Sequence, residues 1–263
     1  MLNRLSQGHL NGLDLCPRRF QHVHLDQLLS PTAPEQQQAL DWGTRFHLLM
    51  QQHDLGLPVE TIEPADPTVQ ACFRQFMQTA PEVFAVQPGQ VRHSEHRRTL
   101  ELEGVLLTAV YDLLVLHPDR ALIYDWKTHL TPQSAMRLAQ DWQTRLYCFV
   151  LAETSAYLPE QISFTYWFVR AQAGGGAPRP QHHTLPYSTT QHEKTRQALS
   201  QRLAQLSEGL AGYREGRSLP QVPEELGRCD RCPFAIRCRR GAFSDASESV
   251  LIPNLADIAE VVL

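Results

Sequence analysis

The chain has 263 residues, 42% of them hydrophobic and 20% charged, with a formal net charge of −4. That length supports one sizeable core with a small appended lobe, and the mild acidity excludes a globally basic surface, so a nucleic-acid partner would need a local basic groove. No apolar run approaches 18 residues, which excludes a membrane-spanning helix, and no apolar signal segment follows the first residues, so the expected location is cytoplasmic.

In chain order, residues 6 to 29 read as helix, capped by Ser6 and interrupted at Cys16-Pro17, where proline suits a new first turn. A proline-containing loop follows, then a helix over 36 to 52 with Leu40, Phe46 or His47, and Met50 on its inward stripe. A third helical pattern covers 69 to 80. Strands take over at 91 to 102, 105 to 116 and 122 to 127. A helix is expected over 134 to 153, a strongly apolar strand over 161 to 169, and a glycine-rich loop over 173 to 180. A strand at 181 to 187, a polar amphipathic helix over 190 to 215, a cysteine-bearing irregular stretch and a short apolar tail at 250 to 263 complete the chain. Helices, three strands, a helix and a further strand predict a mixed sheet with helices against it, an α/β or α+β domain.

The stretch Ile123-Tyr124-Asp125-Trp126-Lys127-Thr128 carries the chemistry. Side chains two apart on a strand share a face, so Asp125 and Lys127 project together and Trp126 points away. Short turns at Pro118-Asp119 and Glu103-Gly104 fix the hairpin registers. They place Asp112 opposite Asp125 and, if Glu103-Gly104 is a two-residue turn, bring Glu95 beside Asp112 as a candidate extra acid, its alternative being a solvated strand residue. Acids crowded on one face repel unless a cation sits among them, and carboxylates suit Mg²⁺ or Mn²⁺. On the following helix, Gln143 and Tyr147 lie one turn apart on one face.

Six cysteines without an export signal favour metal binding over disulfides. Cys229-x-x-Cys232 followed by Cys238 is a clustered thiolate set that wants a fourth ligand. Cys72 and Cys148 lie in apolar helical patterns and read as buried thiols. Arg18, Arg19, Arg97, Arg98, Arg237, Arg239 and Arg240 are local cations suited to phosphate contact. Trp126 and Trp142 are aromatics for base stacking or for the core.

Taken in order, Gly43-Thr44-x-x-His47, Asp112, Asp125-Trp126-Lys127-Thr128 and Gln143-x-x-x-Tyr147 resemble the motif series of the PD-(D/E)XK nucleases, and more narrowly the RecB-like exonucleases, including those of CRISPR adaptation. The resemblance spans roughly residues 1 to 240. It implies a restriction-endonuclease-like core with a mixed central sheet flanked by helices, within a single nuclease domain over 1–263 whose catalytic core covers about 36–170. His47, Asp112, Asp125 and the Trp126 backbone carbonyl would ligate Mg²⁺ or Mn²⁺; Lys127 would assist the attacking water; Gln143 and Tyr147 would support the site and the DNA strand. One departure is Ala109, where the family often has glycine three residues before the first acid. Cys16 before Pro17, with Phe20 beyond, looks like the N-terminal motif of iron–sulfur members, implying a [4Fe-4S] cluster on Cys16, Cys229, Cys232 and Cys238. The lobe would be formed by residues 1–30 with 220–240. Zn²⁺ on four thiolates and an unmetallated loop remain alternatives.

The reading implied is a metal-dependent DNA nuclease, an exonuclease preferring single-stranded ends. Its alternative is a catalytically weak DNA-binding or assembly subunit of a repair or CRISPR-type complex with the same fold. No phosphate-binding Gly-x-x-x-x-Gly-Lys loop is present, so unwinding would come from a helicase partner.

Overall fold

The computed structural model describes residues 3–30, 32–58, 66–171 and 179–240. The apolar tail at 250–263 and most of the expected glycine-rich loop lie outside the described residues. The elements are β1 (Arg4–Leu5), α1 (Gln7–Leu15), α2 (Pro17–Phe20), a π-helical turn (Gln21–Leu25), α3 (Pro34–Asp54), α4 (Pro67–Thr79), α5 (Pro81–Phe84), β2 (Val91–Leu102), β3 (Val105–Leu116), β4 (Ala121–Lys127), α6 (Ala135–Gln140), α7 (Trp142–Glu153), β5 (Ile162–Phe168), β6 (Gln181–Pro186) and α8 (Thr189–Arg214).

One mixed six-stranded sheet runs β1-β3-β4-β5-β6, with β2 added to the other edge of β3. β2–β3, β3–β4 and β5–β6 are antiparallel, while β4–β5 and β1–β3 are parallel. Ser94 pairs with Leu113 and His96 with Tyr111, and Leu113 pairs with Tyr124. Continued one step, these registers set Glu95 beside Asp112 and Asp112 beside Asp125, as the turns predict.

Each face of the sheet buries its own core. Leu107, Tyr111 and Ile123 pack with Leu146, Phe149 and Leu203 from α7 and α8. Leu113, Val115, Trp126 and Trp167 pack with Phe46, Phe73 and Phe76 from α3 and α4. Alternation along β3 changes phase at Asp112: Tyr111 faces the first core and Leu113 the second. Opposite Asp112, Glu95 has a φ of 49°, a left-handed conformation unusual for a non-glycine residue.

Three expectations need correction, and one open alternative is decided for the core. The stripe on α3 is Gly43, Phe46, Leu49 and Met50; Leu40 is exposed, because the 3.6-residue repeat sets it and Leu48 off that stripe. The long helix at 134–153 is two helices, since Asp141 takes an extended conformation and caps α7 through the Gln143 amide. Beyond Cys16 the first helix restarts at Pro17 and passes into the π turn, ending at Leu25. Trp126 and Trp142 are both buried, so neither is a stacking platform for a base.

Candidate active site

The site opens where the β3–β4 ladder stops. The last cross-strand pair is Leu113 with Tyr124. At Trp126, the edge facing β3 meets side chains in place of a strand. Its N–H donates to Asp112 Oδ2 at 2.7 Å, and its carbonyl lies 3.0 Å from His47 Nε2. Strand geometry sends the N–H and C=O of one residue to the same side, so a single backbone residue gathers an acid from β3 and a histidine from α3.

Gly43 sets how closely α3 approaches. A Cβ on it would stand 3.0 Å from Thr128 Oγ1 at the end of β4. One turn later His47 reaches over the strand, its Nδ1 3.5 Å from Asp112 Oδ2 and 3.8 Å from Glu95 Oε1. Among the described residues, His47, Glu95 and Asp112 are the one group of three or more metal-ligating side chains whose ligand atoms all lie within 4.8 Å of one another. Burial alone would push His47 down, but the Asp112 carboxylate, with Glu95 and Asp125 behind it, raises it to about 10. In the metal-free protein this imidazolium is the cation beside Asp112 and Glu95. Burial, and then repulsion from Asp125, push Asp112 up.

Asp125 is buried in the other half of the site. Its Oδ2 accepts from Gln143 Nε2 at 2.5 Å, and Gln143 Oε1 accepts from Lys127 Nζ at 2.6 Å. Lys127 Nζ also stands 2.6 Å from Asp125 Oδ1, an ion pair that meets the buried carboxylate with a cation. The Asp141 cap sets the phase of α7 that presents Gln143. Tyr147, one turn on, is buried beside the two acids; burial first, then the charges of Asp125 and Asp112, raise its hydroxyl well above the ordinary range. Its carbonyl accepts from Tyr111 on β3 at 3.0 Å, tying α7 to the sheet behind the site.

Tyr166 escaped the sequence reading. It lies opposite Asp125 in the parallel β4–β5 register, and Lys127 Nζ sits 5.1 Å from its ring centroid. The only sequence signal was a tyrosine inside an apolar strand. Of the cations nominated for phosphate contact, Arg18 bonds the Leu219 carbonyl, Arg98 bonds Thr154, and Arg240 bonds Gln221 and Glu224. These three are committed to the fold, whereas Arg97, Arg237 and Arg239 are exposed.

Residues 14–26 and 213–240 meet in a lobe beside α1. Arg18 N–H donates to the Pro220 carbonyl, Leu219 N–H to Gln21 Oε1, and Arg228 to the carbonyls of Asp14 and Leu15. Cys16, Cys229, Cys232 and Cys238, all free thiols, line one pocket there with Phe234 and Arg240. Burial raises Cys229 and Cys238, and each is further raised by neighbouring cysteines of the set. Cys72 and Cys148 stand apart from the set, one bonded to the Val169 carbonyl and the other buried.

Residues 4–239 match the family model described as the PD-(D/E)XK nuclease superfamily. No curated protein matches the chain. Among solved structures, a protein from Eubacterium rectale with a provisional exonuclease designation matches at 12% identity over 94% of each chain, with a TM-score of 0.52. At that identity the likeness concerns the fold alone. A structure named SSO0001 matches at 9% identity over 90% of this chain and 86% of that one, with a TM-score of 0.37, too low to carry an argument.

Proposed function

The chain belongs to the PD-(D/E)XK nuclease superfamily, and from that membership we propose that it is a RecB-like, divalent-metal-dependent deoxyribonuclease, an exonuclease acting on single-stranded ends. One observation carries the reading: His47, Glu95 and Asp112 gather at ligand distances beside the Trp126 carbonyl, with Asp125, Lys127 and Gln143 adjoining. The donors are hard oxygens and one imidazole, which fit Mg²⁺ or Mn²⁺.

His47, Asp112, Asp125 and the Trp126 carbonyl would hold the cation, with Glu95 as an added carboxylate. Bound there, a divalent ion supplies charge neutralisation at the scissile phosphate and a more acidic water. As a ligand His47 would have to be neutral, so metal binding would release its proton. Gln143 fixes both Asp125 and Lys127, so the ammonium stays beside the carboxylate. Lys127 then places a positive charge where negative charge builds on the phosphate oxygens. Tyr147 and Tyr111 keep α7, and with it Gln143, at a set distance from the strand. The weakly catalytic subunit is the poorer reading, because it leaves the Asp125–Lys127–Gln143 arrangement without a task.

For the lobe we infer a [4Fe-4S] cluster. Four thiols around one pocket fit a thiolate-ligated group. Zn²⁺ on the same four thiolates is the alternative; the resemblance of Cys16-Pro17 to the N-terminal motif of iron–sulfur members favours the cluster.

The reading is tested with linear and circular single-stranded DNA, each end-labelled where it has ends. Shortening of linear strands from an end, with circles spared, is expected. Equal cutting of circles would replace the exonuclease by an endonuclease.

A further inference from the structure

The cysteine lobe contains a buried histidine that the cluster reading above does not use. His22 is 5% exposed and sits in the π-helical turn, where Asp26 N–H bonds back to the Gln21 carbonyl. Such turns insert an extra residue and recur at functional positions. Here the turn aims two polar side chains inward. His22 Nδ1 lies 2.8 Å from Asp26 Oδ2, and its Nε2 lies 3.6 Å from Cys238 Sγ. Phe234, between Cys232 and Cys238, packs against the imidazole with ring centroids 5.2 Å apart.

Asp26 is itself held from two further sides. Tyr213 at the end of α8 donates to its Oδ1 at 2.7 Å, and Gln21 donates to Oδ2 at 3.3 Å. Burial opposes its charge, but the Tyr213, His22 and Gln21 hydrogen bonds hold its carboxyl below the ordinary range. As a carboxylate, Asp26 only accepts, so His22 Nδ1 donates to it. The other ring nitrogen is thereby fixed towards the sulfur. A continuous line thus runs from α8 through Tyr213, Asp26 and His22 to Cys238.

We propose that His22 is a positioning residue for the cysteine lobe: as an imidazolium paired with the Asp26 carboxylate it donates from Nδ1 to Asp26 and from Nε2 to the Cys238 sulfur, and through Asp26 and Tyr213 it sets that thiolate and raises the reduction potential of the bound cluster. The proposal rests on the cluster reading. Its physical basis is that a hydrogen bond to a cluster thiolate stabilises the more negative, reduced state. The metal-ligand histidine logic is similar, in that a carboxylate fixes the ring and the ring fixes what lies beyond it.

The test uses full-length protein purified without oxygen. Iron and sulfide are measured first, then the midpoint potential and the electron paramagnetic resonance of the reduced state, for wild type, His22→Leu, His22→Gln and Tyr213→Phe. His22→Leu is expected to shift the potential to a more negative value and to change the resonance. His22→Gln, which keeps a donor, is expected to recover part of the shift, and Tyr213→Phe to show a smaller shift of the same sign. If His22→Leu fails to hold iron, the other two variants decide. Coincident potentials at full iron content would overturn the role of His22 and leave the cluster standing. Wild-type protein without iron and sulfide would overturn both.

Discussion

Lys127 shows how far a single residue can be read. Strand alternation alone put it on the face of Asp125, and the ion pair at 2.6 Å follows from that rule. Lys127→Ala should leave Mn²⁺ affinity near wild type, because the ligands remain, and lower turnover by about 10²- to 10³-fold, the loss typical of one transition-state donor. Single-turnover kinetics beside calorimetry separates the two effects. Asp112→Asn and Asp125→Asn should each weaken Mn²⁺ binding, since an anionic oxygen becomes neutral; calorimetric titration checks this, and unchanged affinity in both would remove the metal-site reading. The left-handed backbone at Glu95 was not legible, because nothing in a strand pattern marks one residue for positive φ. His47 supplies a pH prediction. Its folded value near 10 exceeds the unfolded 6.5, so the metal-free protein binds the extra proton more tightly when folded. That stabilisation is complete below pH 6.5 and is lost as pH rises through 10. Melting in chelator should therefore fall between pH 6.5 and 10 in wild type, and fall less in His47→Gln.

Among the elements, the hairpins were the most legible. Short turns leave little freedom of register, and both turns predicted the observed pairing. The break between α6 and α7 left a signal in Asp141, an N-cap residue ahead of an apolar run, but a continuous apolar periodicity masked it. The π turn at Gln21–Leu25 left none, since its residues suit an ordinary helix. Gly43 illustrates a packing constraint that sequence reading recorded only as part of a motif. Gly43→Ala should gain about 1 kcal/mol of helix propensity, but its Cβ meets Thr128 Oγ1 at 3.0 Å, and relieving such overpacking costs about 1–3 kcal/mol. The Gly43→Ala/Thr128→Ala double variant should be the more stable of the two in urea unfolding, and the single variant should bind Mn²⁺ more weakly because α3 carries His47 outward.

At the scale of the whole molecule, the N-terminal helices and residues 213–240 are joined through Arg18, Gln21, Asp26, Tyr213, Leu219, Arg228 and the pocket of the four cysteines. Cysteine count and spacing grouped Cys229, Cys232 and Cys238; their meeting with Cys16 at one pocket came from resemblance, because no local rule predicts a contact more than two hundred residues apart. Cys232→Ala should loosen residues 7–25 and 219–240 together in hydrogen exchange, before it affects turnover, since a cluster that moves no electrons in hydrolysis acts through the fold. The central claim remains hydrolysis at the gap between β3 and β4. Its most direct measurement is release of acid-soluble nucleotide from single-stranded DNA by wild type and Asp125→Ala, with Mn²⁺ and with chelator. Release by wild type only, and only with the metal, is the predicted result. Equal release by Asp125→Ala, or undiminished release in chelator, would contradict it.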